Sequence, residues 1–387
     1  MLKGIYLTVM MGPVVAVPVP KSVADSLTAV QVTTASGARS GFQLTFTLAK
    51  NSPLTTTLIP AGFFDPLIRV IIIVTVGGLP NVIMDGVITQ QQVTTSNEAG
   101  QSTLTVTGED VSRMMDLIDF TGIPYPMPPE ARVALMVAKY AVFGIIPAVI
   151  PSVLLDVPIP VQEIPHHQGT DFAYINQLAD DVGYVFYVEP GPAPGVNVAY
   201  WGPEVKVGVP QPALNVNMDA ETNVESLNFT FDGMSKTLYI LYIQNLLTKV
   251  PIPIPIPDIT PLNPPLGARP PVPHRVKFIP DKDLFDDRDE GSNDSPAKLS
   301  PVRAALIGLA KAAKSADSVS ASGSLNVLRY GRVLKARSLV GVRGAGLAYD
   351  GLYYVKSVTH DIKHGEYKQS FTLTRNALIS TAPTVPV

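Results

Sequence analysis

LYYVKSVTHDIKHGEYKQSFTLTR (352–375) consists of two alternating runs separated by the polar stretch Asp361–Gly365. A period of two sends successive side chains to opposite faces of a strand, and a short polar break containing glycine reverses the chain. The segment therefore reads as a β-hairpin. Its aromatics Tyr353, Tyr354, Tyr367 and Phe371 are expected to pack across strands. Upstream lies SGSLNVLRYGRVLKARSLVGV, which is again strand-like. VRGAGLAYDG (342–351) joins strands and opens no helix, so it lacks the setting of a phosphate cradle.

The first hundred residues carry the same signal. VQVTTASGARSGFQLTFTLA (30–49) is a strand, a Ser-Gly turn and a strand with Phe42, Leu44, Phe46 and Leu48 on one face. LIRVIIIVTVGG (67–78), NVIMDGVITQQQVTT (81–95) and STLTVTGED (102–110) continue the series, with Asp85-Gly86 as a bend or bulge. Short strands between turn clusters point to an antiparallel barrel or sandwich.

At residue 110 the period changes. EDVSRMMDLID reads as a short helix, and Pro128-Pro129 precede a second in EARVALMVAKYAV. The third helix has Thr170 as cap, Phe172, Ile175, Leu178 and Ala179 at helical spacing, and Gly183 as stop. YVFYVEP (184–190) and VNVAYWGP (196–203) follow as strands, with Tyr184, Phe186 and Tyr187 as core and rim. Residues 111–222 thus form an α+β unit. Strand patterning resumes at 224–244. KVPIPIPIPDITPLNPPLGARPPVP (249–273) holds ten prolines and reads as polyproline-like, and 275–298 as a charged surface loop. An alanine-rich helix over 300–316 starts at the cap Ser300 and Pro301. The two β regions flank one insertion, with no residue-level repeat.

Composition supports this reading. Prolines are 37 of 387 residues, about twice the usual ~5%, which excludes a mostly helical chain. Hydrophobic residues make up 46% and charged residues 16%, against roughly 25% charged in soluble domains. A large core is available, and part of the surface is expected to face something other than water. The chain has no cysteine, so disulfides, thiolate metal sites and cysteine nucleophiles are excluded. Residues 301–387 carry 12 bases and 4 acids, but scattered through strands and without a nucleic-acid motif. They read as an ordinary interface or solvated face.

Two apolar stretches resemble membrane signals. MLKGIYLTVMMGPVVAVPVP has one early lysine and three interrupting prolines, and reads as a strand or interface arm and not as a leader. VALMVAKYAVFGIIPAVIPSVLL (133–155) is long enough to span a bilayer. Lys139, Pro147 and Pro151 interrupt it, so a buried helix of about twelve residues followed by an extended segment is expected, and no stable membrane insertion.

No catalytic, cofactor-binding or metal-binding residue is nominated. His166-His167 read as a turn pair, and His360 and His364 as brackets of the hairpin's polar end. No HExxH, GxSxG, P-loop or GxGxxG occurs. Asp180-Asp181 sit at a helix end, where solvation accounts for them, and no glycosidase pair can be picked out.

The segment 322–375, from SGSLNVLRY to QSFTLTR, resembles the C-terminal half of the phage late control protein D family. These are baseplate hub proteins of contractile tails and contractile injection systems. LTVTGEDVSRMMD (104–116) is similar to the strand-to-helix exit from that family's first barrel. TDFAYINQLADDVGYVFYVEPG (170–191) resembles a helix-plus-strand segment also found in the hub part of type VI secretion spike proteins (VgrG). Residues 249–300 carry none of the family's motifs.

The resemblance implies two related antiparallel β-barrels per chain, over 1–110 and 223–387, around the α+β domain 111–222. The second barrel is interrupted by the insertion 249–300 and the helix 300–316. It implies a homotrimer whose six barrels form a pseudo-sixfold ring, adapting a hexameric tail tube above to a trimeric spike below. DNA or an effector would cross the lumen in transit. The chain ends twelve residues after Arg375 without a spike repeat or lysozyme-like extension, so a separate spike protein is expected. Other baseplate proteins would complete a particle whose chains are made in the bacterial cytoplasm. Two other readings remain open: a membrane protein anchored through 133–155, and a cell-wall-degrading tail enzyme using acids of 111–222.

Overall fold

The period-two runs of the first hundred residues fold into seven strands: β1 (Ile5–Gly12), β2 (Val17–Pro18), β3 (Leu27–Ala35), β4 (Gly41–Thr47), β5 (Arg69–Val76), β6 (Leu79–Thr94) and β7 (Thr103–Asp110). The computed structural model describes residues 4–381 apart from 14, 99–100, 153–163, 245–250, 257–262, 280–307, 310 and 314. The seven strands are antiparallel in the order β3-β4-β7-β6-β5-β1-β2. β6 is sixteen residues long, pairing with β5 through its first half and with β7 through its second. Asp85-Gly86 stand where it changes partner. A Cβ on Gly86 would run into the Glu109 carbonyl oxygen of β7, so the glycine permits a close backbone approach.

The chain then builds a second, smaller body. Asp110 caps the turn Val111–Asp116, accepting from the backbone N–H of Ser112 at 3.0 Å. The helix Pro129–Ala138 follows, then β8 (Ile145–Val149), the helix Asp171–Val182, β9 (Val185–Pro190) and β10 (Asn197–Gly202). Thr170 accepts from Ala173 N–H, and Gly183 ends the helix in the left-handed region. β8, β10 and β9 form a three-stranded sheet. Val133, Met136, Ile175, Leu178, Phe186 and Trp201 belong to the unit's own hydrophobic cluster.

The chain re-enters the main sheet at β11 (Gln211–Asn215), which pairs parallel with the later segment Leu339–Arg343. β12 (Val224–Phe231), β13 (Thr237–Gln244), β14 (Pro251–Ile256), β15 (Gly267–Arg269) and β16 (Arg275–Ile279) come next. β17 (Val319–Asn326), β18 (Leu339–Arg343), β19 (Gly351–Lys363), β20 (Glu366–Arg375) and β21 (Leu378–Ser380) complete the chain. The opening hairpin is β19–β20, and its turn narrows to His364-Gly365, with Lys363 opposite Glu366.

The two β regions are not separate sheets. β19 pairs antiparallel with β3 from Ser357 opposite Ala35 to Lys363 opposite Ala29. The sheet therefore runs β12-β17-β20-β19-β3-β4-β7-β6-β5-β1-β2 through both regions. Val30, Val32, Phe42, Leu44, Phe46, Leu104 and Val106 share one hydrophobic cluster with Val358, Phe371 and Leu373. The fold is mainly β, the described residues being 46% strand against 18% helix, with an α+β insertion between antiparallel barrel regions.

Some sequence expectations are corrected. Residues 251–256 do not run as polyproline: they are β14, paired antiparallel with β13 from Gln244–Pro251 to Tyr239–Ile256. In an antiparallel pair only alternate residues turn their N–H to the partner. Proline at every second position is thus compatible with one pairing edge and one edge without donors. Residues 275–279 are a strand rather than a loop, whereas 280–298 lie outside the described residues. Of the helix 300–316, the described positions between 308 and 315 are helical, while Ser300 and Pro301 lie outside the described residues.

The apolar stretch from 133 breaks ahead of its prolines, at the left-handed Gly144, and Pro147 lies inside the strand that follows. A helix ends at Ala138 and β8 follows at Ile145, while 153–155 lie outside the described residues. Among the described residues no helix is long and apolar enough to cross a membrane. The N-terminal stretch is strand β1.

Gly86→Ala is expected to lower the unfolding free energy by about 1–3 kcal/mol, as overpacking against a neighbouring strand does. A urea midpoint unchanged from the parent would contradict the close approach.

Candidate functional site

Two of the histidines read as turn residues, His167 and His360, are in the core instead, whereas His166 is exposed. His167 is fully buried, and its Nε2 lies 2.9 Å from Asp171 Oδ1. Asp171 also accepts from Lys139 Nζ at 3.0 Å and from Tyr140 OH at 2.8 Å, and Lys139 lies over the Phe120 ring. Burial, with Asp171 beside it, pushes the Tyr140 phenol up. This cluster pins the loop before the helix Asp171–Val182 to the end of the helix Pro129–Ala138.

His360 lies inside β19, not at a polar hairpin end. It is buried, with Nδ1 2.7 Å from Tyr367 OH and 3.3 Å from Gln369 Nε2. Burial lowers its pKa to about 4. His364 is exposed at the turn. Tyr353, Tyr354, Tyr367 and Phe371 are all core residues. Tyr187 is stacked between Tyr200 and the Arg337 guanidinium. Asp181 is buried rather than solvated. Among the described residues no group of His, Cys, Asp and Glu is arranged to hold a metal.

What the side chains do build is a set of joints between units. Arg69 opens β5 opposite Val87, and its Nε and Nη2 reach diagonally to Asp85 of β6, each 2.8 Å from a carboxylate oxygen. Nη2 also donates to the carbonyls of Phe143 at 2.8 Å and Gly195 at 3.2 Å. Asn197 Nδ2 donates to Asp85 at 2.9 Å. A buried ion pair of the first barrel region thus clasps the backbone of the α+β unit.

A second joint ties three regions together. Arg337 Nη2 donates to Ala35 O at the end of β3, and Nη1 lies 3.4 Å from Glu189 of β9. Beside it, Glu204 accepts from Ser36 Oγ at 2.6 Å and from Lys356 Nζ at 2.7 Å. Burial alone would raise the Glu204 pKa, but the charge and hydrogen bond of Lys356 bring it below the ordinary value. Sequence reasoning passed over these residues. The available signal was an isolated charge in an apolar strand run, Arg69 in LIRVIIIVTV, since a buried charge requires a partner.

Among the described residues the main sheet is open at both ends. β1 pairs with β5 on one side, and on the other only Met10 and Met11 meet β2. Beside this edge lies a groove of about 300 Å³ lined by Ile5, Leu7, Val19, Val23, Leu27 and Tyr367. At the far end β12 pairs with β17 alone among the described strands, and its Phe231 is exposed. Apolar strand edges of this kind are normally covered by a partner.

No protein-family model and no curated protein matches the sequence. Solved structures do match its fold. The tail protein from Neisseria meningitidis MC58 is 14% identical with a TM-score of 0.58, over 96% of this chain and 97% of that one. The 43 kDa tail protein of prophage MuSo2 from Shewanella oneidensis is likewise 14% identical at 0.58, over 96% and 100%. The E. coli c3393 protein, a type VI secretion component with structural similarity to the T4 tail proteins gp27 and gp5, is 10% identical at 0.50, over 92% and 76%. The fold is that of phage tail proteins and their secretion-system counterparts.

Two outcomes follow from the buried groups. Asp85→Ala leaves the Arg69 guanidinium buried without its carboxylate and is expected to cost about 3–5 kcal/mol in equilibrium unfolding; a loss near zero would show that Arg69 is resolvated. For His360, the folded pKa of about 4 lies below the ordinary 6.5, so between these values the unfolded chain holds the extra proton. Its contribution is full above pH 6.5 and is lost as pH falls toward 4. His360→Gln should therefore flatten the stability-pH curve across that window, and parallel curves for the two proteins would refute the assignment.

Proposed function

We propose that this chain is the structural, non-enzymatic hub of a contractile phage tail or contractile injection-system baseplate. Three copies form a ring of six barrel-like units, which adapts a hexameric tail tube to a trimeric spike and leaves a lumen for passing cargo. The observation that carries this reading is the single sheet that runs through both β regions and, among the described residues, is open at both ends. A surface with unlike free ends associates head to tail, and such contacts close into a ring when the rotation permits. The apolar groove beside β1 and the exposed Phe231 on β12 are the groups such contacts would cover. The tail-protein fold supports the setting, and the family resemblance supplies the copy number.

In this reading residues 1–110 and 223–387 furnish the ring, joined by β11, and the rest of 111–222 braces it through the Arg69 and Arg337 joints. The partners are the tube protein, a separate spike protein and other baseplate proteins within the assembled particle. Light scattering of the purified chain should give three times the 41.3 kDa of one copy. A stable monomer, together with imaged particles lacking a threefold density between tube and spike, would overturn it.

A further inference from the structure

Two strands of the small sheet β14-β13-β16 come from residues 249–300, which carry no family motif, and they give the sheet two unlike edges. On one side lies β14, where Pro251, Pro253 and Pro255 occupy every second position. The residues of a paired strand turn their N–H groups alternately toward the partner and away from it. Ile252, Ile254 and Ile256 therefore supply the ladder to β13, and the outer edge of β14 holds carbonyls without donors. Burial agrees, since Pro253 and Pro255 are exposed and Ile256 is buried.

The other edge is β16, paired parallel with β13 from Thr237 opposite Arg275 to Leu241 opposite Ile279. It contains no proline, so every second residue turns both N–H and C=O outward, and no described strand takes them. Its side chains alternate as well. Arg275 and Lys277 share one face, while Val276 and Phe278, 50% and 45% exposed, share the other. Neither cation has a carboxylate partner among the described residues.

We propose that β16 is a docking edge for one extended segment of a partner protein, with acidic side chains opposite Arg275 and Lys277 and apolar ones opposite Val276 and Phe278. An added strand gains affinity from main-chain bonds and selectivity from its alternate side chains. A second copy is a poor occupant. Two β16 strands would set Arg275 and Lys277 against each other across the pair, and like charges directly opposite repel. The outer edge of another copy's β14 returns no N–H donor to the carbonyls of β16. Prolines thus close one edge, and cations at the other admit a strand of opposite charge, so the sheet grows by one strand and stops. None of these groups enters the hub reading, and the two stand or fall separately.

Fluorescence anisotropy with the full chain and two fluorescein-labelled peptides, TVEVEVT and TVKVKVT, should show the acidic peptide bound about tenfold or more tightly. With the acidic peptide present, amide hydrogen exchange should slow at 275–279 and stay unchanged at 251–256. Arg275→Glu with Lys277→Glu should invert the preference, and the corresponding alanine pair should abolish it. Arg275 is exposed and Lys277 half-buried, so both variants should melt with the parent, and the inversion itself reports a folded edge. Equal affinity of the parent for the two peptides, or unchanged exchange at 275–279, would overturn the proposal. So would protection of 275–279 in the chain alone that disappears on dilution, which assigns the edge to a second copy.

Discussion

The seven-residue ladder between β3 and β19 is the contact on which the rest of the molecule depends. Its strands lie more than three hundred residues apart in the chain; Gln31 and Asp361, bonded across it, are separated by 330 positions. Without the ladder there would be two modest sheets, each with one more edge to protect. With it, Val30 and Val32 share a core with Val358 and Ile362. A slip of one residue would turn those side chains to the outside and bring Gln31, Thr33 and Asp361 into the core. The Thr33–Thr359 and Gln31–Asp361 bonds hold the register from the outer face.

Closing so long a loop is entropically less severe than its length suggests, because the cost grows only with the logarithm of length. The α+β insertion also brings its own hydrophobic cluster. The Arg69–Asp85 pair then fixes the insertion to the first barrel region. Arg337, bonded to Ala35 and beside Glu189, ties it to the ladder's end. Low overall charge has a related meaning in this architecture. Several of the ionic groups are spent on internal joints such as Arg69–Asp85 and Lys356–Glu204.

Much of this was legible from local pattern. Alternating runs located β4, β7, β19 and β20, since half-buried strands must alternate, and a β-branched run located the more deeply buried β5. The cap Thr170, the spacing of Ile175 and Leu178, and the stop Gly183 defined a helix by chemistry within one turn of each end. The residues that failed were those whose setting is made by distant chain. His167 and His360 sit in polar-looking stretches, yet are buried because Asp171 and Tyr367 offer partners and neighbouring elements close over them. Pro251–Ile256 carries a strong polyproline signal. It becomes a strand because β13 supplies a partner for its non-proline positions.

The amino-acid sequence by itself determined the class of fold, a β-rich chain with an α+β insertion, because side-chain period and capping act over a few residues. It also determined what chemistry is absent with cysteine. Only the tertiary structure decided that the two β regions are one sheet, which strands remain as open edges, and which polar residues become buried joints. Those outcomes depend on pairing between segments hundreds of residues apart, and strand pairing is carried by backbone groups that every residue shares. Side-chain pattern can prepare a strand to be paired, but the choice of partner is made only when the whole core is assembled.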